Sequence, residues 1–218
     1  MSIRVKICCI ESKAEARLAL KYGVSALGLV SHMPSGPGVI TDAAIQEIAE
    51  LIPPGIASFL LTSKQNAKEI ILQQRFCRTN TLQLVDEIPI QDYQTLREQL
   101  PGISIIQVIH ITGEEVIDHA QQIAPHVHGI LLDSGNPNLS VKELGGTGRV
   151  HNWNISREIV QTVKKPVYLA GGLNPQNIAE AIDSVRPFGV DICSGVRTSG
   201  SLDEQKLSTL FQSIQQVA

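Results

Sequence analysis

Residues 166–175 read Pro166-Val167-Tyr168-Leu169-Ala170-Gly171-Gly172-Leu173-Asn174-Pro175. A short apolar run stopped by two glycines is the pattern of a buried strand and its turn. Asn174-Pro175 then supplies a capping side chain and a proline suited to the first helical position. The next ten residues, through Val185, carry helical periodicity. The unit is strand, glycine turn, helix. The same alternation fills the chain, with strands expected at 4–10, 26–31, 56–62, 81–86, 104–111, 128–134, 166–172 and 189–195. Helices are expected at 12–23, 41–52, 64–75, 90–100, 113–124, 155–163, 174–185 and 202–217. Thr41-Asp42 opens one of them, Pro53-Pro54-Gly55 stops that same helix, and Gly23 ends another. Eight such units make about 27 residues each, and strict alternation implies parallel strands joined by helical crossovers. An open doubly wound sheet has fewer units and usually a GxGxxG turn after its first strand, whereas here that strand runs into Cys8-Cys9-Ile10-Glu11. The expected fold is α/β, a single-domain (β/α)8 TIM barrel over residues 1–218.

Composition narrows the function. The 218 residues are 43% hydrophobic and 18% charged, with 18 Lys+Arg against 21 Asp+Glu. A nucleic-acid or anionic-membrane binder needs a basic excess, and eight scattered aromatics are too few to stack bases. No apolar run approaches the roughly 18 residues that cross a bilayer, and residues 1–10 read as a strand, not a signal peptide. Cys8, Cys9, Cys77 and Cys193 show no CxxC spacing, so free thiols in the cytoplasm are expected.

In this fold the chemistry sits at the carboxyl ends of the strands. Those positions hold Cys8 and Cys9, Ser31 and His32, Thr62, Asp86, His110, Asp133, Gly171-Gly172, and Ser194-Gly195. Three glycine turns fall in the last third: Gly145-Gly146-Thr147-Gly148, Gly171-Gly172-Leu173 and Ser194-Gly195-Val196. Amides without a Cβ in the way can converge on phosphate oxygens, and barrels often bind phosphate after strands seven and eight. Tight turns alone would also explain the glycines; three of them at these positions favour phosphate. Cys8 and Asp133 end strands one and six, on opposite sides of an eight-strand ring. A substrate across the mouth would meet a thiolate and a carboxyl, a base and an acid. That requires a thiol lowered from about 8.5 and a carboxyl raised from about 3.9. The plainer readings are a small buried hydrophobe for Cys8 and a helix cap or ion-pair partner for Asp133.

Together these residues resemble the phosphoribosylanthranilate isomerase family. The likeness is carried by Lys6-Ile7-Cys8, Ala26-Leu27-Gly28-Leu29-Val30, Gln83-Leu84, Leu131-Leu132-Asp133-Ser134, Gly145-Gly146-Thr147-Gly148, Leu169-Ala170-Gly171-Gly172-Leu173, and Val190-Asp191 through Ser194-Gly195-Val196. The resemblance implies a (β/α)8 barrel that performs an Amadori rearrangement in tryptophan biosynthesis, without metal or organic cofactor. It implies Cys8 as the base at ribose C2, Asp133 as the acid at the ring oxygen, and phosphate held by the three turns. The partner is then a small phosphosugar, and the chain a monomer or homodimer. Two alternatives are a related barrel isomerase for another phosphosugar and a non-catalytic phosphate-ligand binding protein.

The chain departs from the family pattern at four places. Cys9 replaces a glycine, and strand alternation would turn it outward toward a helix. Ser35-Gly36-Pro37-Gly38-Val39 lacks the arginine that in the family contacts the anthranilate carboxylate, leaving Arg197 or His32 as the expected substitute cation. Gln83-Leu84 continues as Val85-Asp86 where the family has His-Gly, and Arg197 stands where a glutamate is common. Elsewhere, Lys6 and Asp191 are expected to pair, since closing the barrel makes strands one and eight neighbours. His126 and His128 fall on the stability face and read as structural. His110 borders the mouth, Cys77 and Cys193 read as packing, and Trp153 seats the glycine-rich loop or caps a helix.

Overall fold

The computed structural model describes residues 3–217. Eight parallel strands close in sequence order into a barrel: β1 (Arg4–Ile7), β2 (Ala26–Val30), β3 (Ala57–Thr62), β4 (Thr81–Leu84), β5 (Ser104–His110), β6 (Gly129–Asp133), β7 (Val167–Leu169) and β8 (Gly189–Ile192). The helices α1 (Lys13–Lys21), α2 (Asp42–Ala49), α3 (Ala67–Cys77), α4 (Ile90–Gln99), α5 (Val116–Ile123), α6 (Trp153–Thr162), α7 (Ile178–Val185) and α8 (Glu204–Gln215) follow the strands one by one. A two-residue antiparallel pair, β9 (Arg197–Thr198) and β10 (Ser201–Leu202), lies between β8 and α8.

The strands are apolar nearly throughout because both faces are buried. Ile7, Leu27, Leu60, Leu82, Ile130, Leu132, Leu169 and Val190 face the helices. Ala26, Phe59, Leu61, Ile106, Val108, Leu131 and Tyr168 alternate with them and fill the barrel. Each fully buried aliphatic side chain stabilises the fold by about 1.5–3 kcal/mol. Inside the barrel, Phe59 and Tyr168 pack edge-to-face with centroids 5.9 Å apart. Above Phe59 the Lys6 ammonium lies 5.1 Å from the ring centroid and 2.8 Å from Asp191 Oδ2, closing the β1–β8 seam as expected.

The strand ends are shorter than periodicity suggests. β1 stops at Ile7, β7 at Leu169 and β8 at Ile192. Cys9 (φ +61°), Gly171 (+83°) and Gly172 (+64°) leave the extended region, and residues 194–196 form a 3-10 turn. α7 starts at Ile178, later than the Asn-Pro signal indicates. The Asn174 side chain accepts from the N–H groups of Gln176 and Asn177 and makes a separate turn first. Thr41 does cap α2, accepting from Ala44 N at 3.2 Å. Among the described residues no helix is long and apolar enough to cross a membrane.

Candidate active site

At the carboxyl ends of the strands a cavity of about 730 Å³, counting the solvent at its opening, is lined by Cys8 from the β1 end and Asp133 from the β6 end. Seven of the eight residues of the expected phosphate cradle line it too: Gly145, Gly146, Thr147, Gly148, Gly171, Gly172 and Ser194. Between them the wall is aliphatic, with Val30, Leu61, Val85, Val108, Leu131 and Leu144.

Asp133 is buried and burial raises its pKa, so its neutral form is favoured. Its Oδ2 accepts from Gly135 N at 3.0 Å. His110 stands behind it, with Nδ1 3.9 Å from Asp133 Oδ2 and Nε2 3.1 Å from the Val85 carbonyl. A carbonyl only accepts, so Nε2 donates to it, and Nδ1 is buried without a hydrogen-bond partner. Cys8 shifts the other way. The Cys9 thiol beside it lowers its pKa foremost, burial opposes this, and the Lys6 ammonium lowers it further. The Asp133 carboxyl and the Cys8 thiol therefore face one cavity with their pKa values pushed toward each other.

The glycine turns meet because nothing else would fit. A Cβ on Gly195 would fall 2.0 Å from the Leu173 carbonyl oxygen, and one on Gly172 would fall 2.7 Å from the Arg149 carbonyl carbon. Gly195 itself lies behind the lining and lets the β8 turn close onto the β7 turn. Ser134 and Thr147 share a hydroxyl hydrogen bond at 2.8 Å that pins the 145–148 turn to the β6 end. Among the described residues the N–H groups of Gly146, Gly148, Gly171, Gly172 and Leu173 have no acceptor within the protein. The result is an arc of free amide donors.

The model for N-(5'-phosphoribosyl)anthranilate (PRA) isomerase matches residues 5–213. The chain belongs to the N-(5'-phosphoribosyl)anthranilate isomerase family. It is 34% identical over 208 residues to the N-(5'-phosphoribosyl)anthranilate isomerase of Methanocella arvoryzae, covering 95% of each chain. The crystal structure of phosphoribosyl anthranilate isomerase from Thermotoga maritima superposes with a TM-score of 0.84 at 27% identity, covering 98% of this chain and 99% of that one. A phosphoribosyl anthranilate isomerase in complex with reduced 1-(o-carboxyphenylamino)-1-deoxyribulose 5-phosphate superposes with a TM-score of 0.81 at 25% identity, over 98% and 99% of the two chains.

Against the isomerase pattern, three expectations need correction. Arg197 does not reach the cavity. Its guanidinium is buried under the β1 end, paired with both Glu15 oxygens at 2.9 and 2.8 Å, and it also donates to the carbonyls of Cys9 and Gly200. The 3-10 turn at 194–196 aims it there, so it braces the Cys8–Cys9 bend from behind. His32 is exposed and absent from the lining. Cys9 does not turn outward: its positive φ breaks the alternation, and it lines the cavity together with Cys8 and Cys193.

Other residues fall as follows. His128 accepts the Ile105 N–H at the foot of the barrel. Cys77 is buried beneath α2, its thiol pushed up to about 12 by burial. Trp153 is the first residue of α6, capped by Asn152. Sequence reading missed the clasp over the mouth. Lys142 binds Asp86 Oδ2 at 2.5 Å, and its carbonyl accepts from Ser35 Oγ at 2.7 Å. The signal for it was Asp86 itself, a carboxylate at a strand end that needed a cation.

Proposed function

We propose that this enzyme isomerises N-(5'-phosphoribosyl)anthranilate to 1-(o-carboxyphenylamino)-1-deoxyribulose 5-phosphate in tryptophan biosynthesis. The observation that carries the reading is one cavity holding a thiol shifted toward its ionised form, a carboxyl shifted toward its neutral form, and an arc of unpaired amides. Family membership supports the isomerase over a phosphate-binding protein without chemistry.

In this reading the phosphate rests on the amides of the 145–148 and 171–173 turns, with Ser194 and Gly195 closing the arc. Neutral amides suffice, because several converge where water is excluded. Asp133 gives its proton to the furanose ring oxygen as the C1–O bond breaks, and the anilino nitrogen pair forms the iminium. Cys8 takes the proton from C2, giving an enolamine that tautomerises to the ketone. The sum of atoms is unchanged, as an isomerisation requires. The aromatic half lies against the aliphatic wall, since Phe59 and Tyr168 are consumed by packing within the barrel. Among the described residues no lysine, arginine or histidine lines the cavity. Lys142, at the rim and 40% exposed, is the cation we assign to the substrate carboxylate.

We place this site in a monomer or a homodimer. A base that must remain a thiol suits the reducing cytoplasm, where we place the enzyme. The test is growth of a tryptophan auxotroph that lacks this isomerase: the wild-type gene restores it, and Cys8→Ala and Asp133→Asn do not. Failure of the wild-type gene to restore growth, with the purified protein turning over a different phosphosugar, would overturn the substrate assignment.

A further inference from the structure

β1 ends at Ile7, so the backbone around Cys8 is held by contacts outside the strand ladder. Cys8 N donates to the Ile192 carbonyl at 2.8 Å, and Ile10 N donates to the Gly28 carbonyl at 3.0 Å. Between them the chain bends at Cys9, whose φ is +61°. Among the described residues no backbone N–H reaches the Cys9 carbonyl; Arg197 Nη2 donates to it instead. The same guanidinium grips Glu15 through two parallel bonds, Nη1 to Oε1 at 2.9 Å and Nη2 to Oε2 at 2.8 Å. Glu15 Oε2 in turn accepts from Glu11 N at 3.0 Å. One ion pair thus holds the turn after Cys8 at both ends, the arginine at the Cys9 carbonyl and the glutamate at the Glu11 N–H. A planar guanidinium with forked donors can serve both acceptors at once. Arg197 is buried and the Glu15 side chain is only 14% exposed, so water competes little for these bonds.

The backbone of Arg197 belongs to the other end of the site. It directly follows the 194–196 turn, and Ser194 of that turn lines the cavity. Backbone bonds close this turn by themselves: Val196 N donates to the Cys193 carbonyl at 3.4 Å, and Asp203 N to the Val196 carbonyl at 2.9 Å. Lys206 Nζ adds a bond to the Arg197 carbonyl at 2.6 Å. The Arg197 side chain takes no part in shaping the turn. What it adds is a span from the β8 turn to the strand end that carries the sulfur.

Resting on the reading of Cys8 as the base and of the glycine turns as the phosphate cradle, we propose that Arg197 and Glu15 are positioning residues. Their ion pair ties the β8 turn to the β1 end and fixes the Cys8 sulfur relative to the bound phosphate. The phosphate takes no part in the bond changes, so its binding raises the rate only by carrying ribose C2 to the sulfur. That use of binding energy needs a fixed distance between cradle and base, since a misplacement of about 1 Å costs roughly 10²-fold in rate. Neither Arg197 nor Glu15 lines the cavity. Both act through the backbone that carries Cys8.

The experiment compares Arg197→Lys, Arg197→Met and the double variant Arg197→Met with Glu15→Gln against the parent enzyme. Three quantities are read: thermal melting, kcat and KM for N-(5'-phosphoribosyl)anthranilate well below each melting point, and inhibition by inorganic phosphate. Arg197→Met is expected to melt lower because it strands Glu15, and the double variant, with no charge left unpaired, recovers much of that loss. Its kcat does not recover: about a 10²-fold drop is expected, with KM and phosphate inhibition close to the parent's. Arg197→Lys keeps the charge but has one ammonium for two acceptors, so it is expected to melt near the parent and to lose roughly tenfold in kcat. Parental kcat in both Arg197→Lys and the double variant overturns the proposal. A loss carried by KM and phosphate inhibition with kcat intact overturns it too, since Arg197 would then act on binding. Cys8→Ala runs alongside. Parental turnover there overturns the reading of Cys8 as base, and a parent enzyme that phosphate does not inhibit overturns the phosphate cradle, so each failure is distinguishable from that of the tie.

Discussion

At the scale of single residues, the acid and base roles proposed for Asp133 and Cys8 rest on their opposite environments. Burial lifts the Asp133 carboxyl, so the acid survives at a higher pH than an exposed aspartate would allow. A rate that needs Asp133 protonated and Cys8 ionised is bell-shaped in pH, falling on the alkaline side as Asp133 ionises and on the acid side as Cys8 is protonated. Asp133→Asn is expected to lower kcat about 10²–10⁴-fold with little change in KM, measured by steady-state kinetics. A comparable rise in KM with kcat intact would mean that Asp133 only binds. These two residues were legible in the sequence because they are strand-end residues of a recognisable pattern. Cys9 and Arg197 were not. Alternation ends where φ turns positive, and the partner that draws Arg197 away, Glu15, is 182 positions distant.

At the scale of elements, the β1–β8 seam depends on a buried charge pair. Lys6 is 0% exposed and Asp191 Oδ1 has no hydrogen-bond partner of its own. Lys6→Met alone strands the carboxylate and is expected to cost about 3–5 kcal/mol in urea unfolding, while Lys6→Met with Asp191→Leu recovers much of it. Equal destabilisation in single and double variants would contradict the pairing. The loop after β6 makes a separate prediction. His151 is held down to about 4 by burial, with Nε2 2.7 Å from Ser156 Oγ. Its folded pKa lies below the unfolded value near 6.5, so the stability it contributes is present above about pH 6.5 and is lost as pH falls toward 4. His151→Gln is expected to flatten that part of the stability–pH curve. Strand centres and most helices were readable from period alone; strand ends and the α7 start were not, because single positive-φ residues and an Asn-Pro turn decide them.

At the scale of the whole molecule, closing the barrel brings the β1 end, the β6 end and three late glycine turns around one space. In the proposed reading the interior gives the substrate an aliphatic wall and a neutral phosphate arc, while the rim gives it Lys142. Lys142→Met is expected to raise KM about tenfold, one charge-assisted contact's worth, with kcat nearly unchanged. The same change weakens the clasp to Asp86, so inhibition by inorganic phosphate serves as the control and is expected to stay constant. The barrel and the glycine turns at its mouth were legible because glycine is required there by close approach; the Lys142–Asp86 clasp was not, because Lys142 lies on a loop whose path no periodicity describes. The central claim is that Cys8 and Asp133 act as base and acid on N-(5'-phosphoribosyl)anthranilate, and steady-state turnover of that compound by the wild type, Cys8→Ala and Asp133→Asn tests it most directly. The account predicts isomerisation by the wild type and a loss of at least about 10²-fold in kcat for each variant; turnover that persists in either variant at the wild-type rate would contradict it.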